Sequence, residues 1–294
     1  LLQADRGLVV RMGTSPAHLP EAGAYHMAGL PGDVAISLHL AAPIDTIYPG
    51  VQAFSRKFVA LIRGVRSTVS TPEEQAAITD AVRSTDALLL GGKAESIGAA
   101  PDGHHHGIIY FVEQGAGPME ARFTDWAGKF NTFSEKLDAG DPAIPKATIE
   151  HLTTAGGLSE TRISLREGQM IDLVIDGVEK DGKTYLTVAA KPGNYLDKLA
   201  SLPQAGPMPA LISGKVNLDQ ARKSVDPAQN LPWPAALAGQ EITFSLDAKK
   251  DGAECEVQLP EDLLKQVTGI FAPHQRDQGD TGTPPGQPPK DGGL

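Results

Sequence analysis

Three of the eight histidines stand together as His104, His105 and His106, in PDGHHHGIIYFV from Pro101 to Val112. On an extended strand alternate residues share a face, so His104 and His106 point one way and His105 the other. Two imidazoles on one face suit zinc, which takes His nitrogens and prefers four ligands. A third protein ligand has to come from elsewhere, and His39, His26, His151 and Glu95 are the candidates. The same histidines directly follow Asp102-Gly103, a turn dipeptide, where exposed polar side chains are ordinary. No His-Glu-x-x-His pattern accompanies them. The spacing nominates His104 and His106 as metal ligands, with zinc the implied ion, without completing the set.

Other reactive groups are sparser. AESIG, Ala94 to Gly98, mimics a nucleophile elbow with Ala in place of the first Gly. An elbow needs a strand before Ser96 and a helix after it. LLLGGK can supply the strand, but AAPDGHHH is too short and broken for the helix. Asp172 and Asp176 share strand parity in MIDLVIDG and read as a solvated face. The single cysteine, Cys255, excludes an internal disulfide and a multi-cysteine metal site. It lies between Glu254 and Glu256, whose charges oppose thiolate formation, so it reads as a small packed apolar residue.

The elements that position these groups follow from alternation and turns. Three segments share one layout: an alternating run, a turn ending in Asp-Gly, and a second alternating run. They are LLLGGKAESIGAAPDGHHHGIIYFV, MIDLVIDGVEKDGKTYLTVAA and ITFSLDAKKDGAECEVQL. Asp-Gly accepts the positive φ of a tight hairpin. Each hairpin is followed by a helical pattern. Met119, Phe123, Trp126, Ala127 and Phe130 form one stripe; Tyr195, Leu196, Leu199 and Leu202 form a second, with Asn194 as its cap. Leu263, Leu264, Val267 and Phe271 form a third behind Pro260. Further helices are expected in IYPGVQAFSRKFVALIRGVR and in TPEEQAAITDAVR, the latter capped by Thr71 and started by Pro72.

PGDVAIS at Pro31 to Ser37 echoes PMPALIS at Pro207 to Ser213, which suggests two diverged copies of one unit. The expected fold is α+β: an antiparallel sheet built from hairpins, helices packed on one face, and a possible two-fold internal repeat. The expected organisation is an N-terminal extended segment over 1–29, a first α+β unit over 30–137, and a second over 146–272. A disordered Pro/Gly-rich tail follows over 273–294.

Composition narrows the function. Net charge is −10, from 26 basic and 36 acidic residues. Such a surface repels phosphate backbones, so nucleic acid is not an expected partner. No run of 18 apolar residues exists to cross a membrane as a helix. The opening LLQADRG reads equally as the tail of a removed leader or as an arbitrary fragment boundary. The expectation is a non-catalytic, soluble envelope or secreted domain, periplasmic or extracellular. It would bind an unidentified protein or envelope component, or play a structural part. The alternatives are a metal-dependent or metal-binding protein using His104 and His106, and an apolar-ligand carrier.

Overall fold

Antiparallel pairing dominates wherever alternating runs meet a turn. The computed structural model describes residues 2–3, 7–12, 26–41, 71–90, 94–101, 107–115, 118–137, 146–167, 170–203, 206–207, 210–225, 228, 234–249 and 252–263. The first stretch holds β1 (Leu2–Gln3), β2 (Gly7–Met12), β3 (His26–Met27) and β4 (Ile36–Leu40). Helix α1 (Pro72–Leu90) leads into the hairpin β5 (Ala94–Pro101) and β6 (Gly107–Gln114), then α2 (Met119–Leu137). A four-strand meander follows: β7 (Lys146–Thr153), β8 (Ser159–Glu167), β9 (Met170–Lys180) and β10 (Lys183–Ala189). The chain continues through α3 (Tyr195–Ala200), β11 (Gly206–Pro207), β12 (Ile212–Asn217) and α4 (Leu218–Val225). The hairpin β13 (Glu241–Lys249) and β14 (Gly252–Gln258) comes next, and residues 261–263 are helical behind Pro260.

Twelve strands form one antiparallel sheet in the order β1-β2-β14-β13-β12-β4-β5-β6-β10-β9-β8-β7, and β3 pairs β11 separately. The molecule is thus mixed α+β and dominated by its sheet. All three expected hairpins pair antiparallel. At the middle one, Asp181 and Gly182 have φ of 52° and 74° between paired Lys180 and Lys183. Those angles give the two-residue turn whose twist matches the strands. The hairpin β7–β8 was not anticipated; Gly157, with φ of 80°, sits in its turn.

The centre of the sheet is a seam between distant segments. β4 pairs β12 antiparallel, with Leu38 opposite Gly214 in the middle. Amide hydrogen bonds from Ala41 to Leu211 O and from Asn217 to Ala35 O, both 2.8 Å, flank the ladder. Outward from the seam, β4-β5-β6 lie on one side and β12-β13-β14 on the other. In each trio a helix precedes the hairpin: α1 before β5, α4 before β13.

The main core lies between α2 and the strands β6 to β10. Met119, Phe123, Trp126 and Ala127 bury their stripe against Phe111, Ile163, Ile175 and Leu186. Glu113 is fully buried there and accepts hydrogen bonds from Arg122 at 2.7 and 3.2 Å. The same guanidinium donates to Ala87 O at 3.3 Å and to Leu88 O. One side chain therefore ties sheet, α2 and the end of α1 together. Leu88 to Leu90 belong to that helix and not to a hairpin arm, because Leu88 fills a core position facing α2.

Helices do not all lie on one face. Leu199 of α3 packs with Tyr110, Val112 and Ala189, whose strand neighbours Phe111 and Val188 meet α2. Successive strand residues point to opposite faces, so α3 covers the side opposite α2. Its own stripe requires this: Leu196 and Ala200 also bury against Val178 on that side. Asn194 makes no side-chain cap bond; at φ −82° and ψ 29° it is not in the extended conformation that a cap uses.

Candidate functional site

On β4, β12, β13 and β14 the pleat separates apolar from polar residues. Ile36, Leu38, Ile212, Ile242, Phe244 and Leu246 face one way by register, and the polar residues between them face the other. The register aligns the polar face in two rows across the strands. Ser37, Lys215, Thr243 and Gln258 form the first row. His39, Ser213, Ser245 and Glu256 form the second. Together they floor a trough of about 590 Å³, walled by Leu30, Pro31 and Val34 from the segment before β4. The volume falls in the range of small-molecule sites.

Two features of the floor bear on chemistry. Ser37 is 4% exposed, and its hydroxyl has no hydrogen-bond partner among the described residues. His39 shares a 2.7 Å hydrogen bond through Nδ1 with Ser96 Oγ, the donor depending on the imidazole tautomer. Burial first, and then the positive charge of Lys215, hold the His39 imidazole below its ordinary range. The Lys215 ammonium donates to Glu241 at 2.9 Å, Gln258 donates to Glu256 at 3.0 Å, and the Thr243 hydroxyl donates to Gln258 at 3.3 Å.

The sequence-nominated residues are dispersed. His104 and His106, the proposed zinc ligands, lie outside the described residues, as do Asp102, Gly103, the helix expected near Phe54 to Ile62, and the 273–294 tail. Of their candidate companions, Glu95 accepts a 2.7 Å hydrogen bond from Lys183, six residues up the strand from Pro101. His151 faces α2, with Nε2 3.8 Å from Glu120. His39 spends Nδ1 on Ser96, and His26 lies in the short β3 ladder. Among the described residues no three His, Cys, Asp or Glu side chains are grouped to hold a metal ion.

Ser96 stands inside β5, fully buried, after a bulge between Ala94 and Ser96. A serine sealed in mid-strand lacks the exposed strand-to-helix turn of a nucleophile elbow. Asp176 is buried as well, against the expectation of a solvated face. It accepts hydrogen bonds from Arg162 at 2.6 and 3.2 Å, while Arg162 also lies 2.8 Å from Glu160. Burial, and then the charge of Asp176, push the Glu160 carboxyl up to about 7. A carboxyl titrating near neutrality beside a buried ion pair is a proton-binding element of the fold.

The trough itself was missed. Its signal was present: Thr243, Ser245 and Asp247 are the complement of the apolar face Ile242, Phe244 and Leu246. What sequence could not supply was the seam that brings β4 beside β12. No protein-family model, curated protein or solved structure matches the chain.

Proposed function

We propose that this chain is a non-catalytic binding domain of the cell envelope or of a secreted protein, seating its ligand in the trough over β4, β12, β13 and β14. The partner is a soluble or envelope-derived molecule rather than nucleic acid, in keeping with the net charge of −10. The observation that carries the reading is a cavity of about 590 Å³ with the buried, unpartnered Ser37 hydroxyl at its floor. Leaving such a group unsatisfied costs about 1–3 kcal/mol, and a ligand that pairs with it recovers that cost. The burial of Ser96 favours binding over hydrolysis as the role of the Ser96–His39 contact, since a substrate carbon has no approach to Oγ.

The β4 and β12 units are read as diverged copies meeting at the seat. Ile36-Ser37 and Ile212-Ser213, equivalent in the two sequence echoes, stand symmetrically about the Leu38–Gly214 pair. The same relation makes His39 and Lys215 counterparts, so the two copies contribute one basic group each to the trough floor.

The reading is tested by amide-resolved NMR of the labelled chain against a library of polar metabolites, short peptides and saccharides. The expected result is saturable shifts at Ser37, His39, Ser213 and Ser245. A library without hits, or hits that map instead to α1 and α2, overturns it.

A further inference from the structure

The trough floor carries charge of both signs at separate places. Lys215 lies on β12 and Glu256 on β14, with β13 between them. They stand two strands and one row apart, about 10 Å across the sheet and about 7 Å along it. Between them the floor offers hydroxyls and amides, groups that both donate and accept. Leu30 and Pro31 add an apolar wall. From these features, and resting on the reading of the trough as a ligand seat, we infer that it takes a short zwitterionic peptide of two to three residues.

The fit follows from length and charge. The two positions are about 12 Å apart along the diagonal, and an extended tripeptide of up to about 10–11 Å bridges them with the long Lys215 side chain covering the remainder. Its carboxylate meets Lys215, and the His39 ring nitrogen left free by Ser96 donates to the same group when the imidazole carries its proton there. Its ammonium meets Glu256 at the other end. Its peptide groups lie over the hydroxyl rows, and its side chains rest against Leu30 and Pro31. The present partner of Lys215 does not prevent this. The Lys215–Glu241 pair has side chains 51% and 35% exposed, and exposed pairs of that kind contribute little in water. An ammonium so weakly held is free to turn toward a ligand.

The test is isothermal titration with tri-alanine, its C-terminal amide and its N-acetyl form. The unblocked peptide binds, and blocking either end weakens binding about tenfold or more, as loss of one charge-assisted contact requires. Lys215→Met removes the difference between acid and amide but keeps that between free and acetylated amine. Glu256→Gln does the reverse. Thermal melts confirm that both variants, altered at incompletely buried positions, remain folded. Equal affinity for the three peptides, or no binding of the unblocked one, overturns the inference. If tri-alanine fails while other library members still shift Ser37 and Ser213, the peptide assignment falls and the ligand seat stands. If nothing shifts those residues, both fall.

Discussion

The sheet has two halves with different covering. Around β6 to β10, Phe123 and Ile163 are fully buried, and helices press on both faces through α2 and α3. Around β13 and β14, Glu241 to Asp247 and Glu254 to Val257 are all only half-buried. One half places its polar groups in closed pairs such as Arg122–Glu113, whereas the other arrays them in rows along an open trough. Similar strands thus serve two ends: the first half sets the geometry, and the second presents chemistry. A close-packed core resists any change of shape, so a rigid half beside a presented face keeps the floor flat without burying it.

The largest test of this contrast is Arg122→Ala. It strands Glu113 in the interior, where burial already pushes its carboxyl up, and removes the cap on the end of α1. Breaking a buried pair in this way costs about 3–5 kcal/mol, read as a lower denaturant midpoint. A loss below about 1 kcal/mol, the level of a surface pair, breaks the contrast.

Glu160→Gln comes next. Because the folded chain holds the Glu160 proton up to about pH 7, against about 4.5 for a free carboxyl, its stabilisation is complete at low pH. It is lost as pH rises through 7, a decline of about 1–3 kcal/mol. The glutamine variant flattens that decline, so melting temperatures at pH 5 and pH 8 converge relative to the parent chain. The smallest effect belongs to Ser37→Ala. Removing an unpartnered buried hydroxyl relieves its desolvation cost, so stability holds or rises slightly, while ligand-induced shifts in the trough are lost. A large destabilisation makes Ser37 a packing residue and places the floor with the scaffold.

Local chemistry was legible and long-range adjacency was not. Asp181-Gly182 named its turn, and the Met119 to Phe130 stripe named its buried face, because both depend on residues within a few positions. The side taken by α3 depends on which face of β6 and β10 remained open, which no single segment records. Asp176 looked solvated on parity alone; its burial follows from Arg162 on the neighbouring strand. The trough depends on β4 meeting β12 across more than half the chain. Alternation could show that Thr243 and Ser245 share a face, but not that Ser37 and His39 continue it.

The pairing of β2 with β14 has a kinetic corollary. Gly7–Met12, with Leu8, Val9 and Val10 in sequence, is made about 240 residues before its partner strand, which at 5–20 residues per second is roughly 12 to 50 s of synthesis. Through that interval a sticky β-segment waits without the neighbour it is built for. Newborn chains should therefore lean on a holding chaperone over Gly7–Met12, and release from it should coincide with the emergence of Gly252–Gln258.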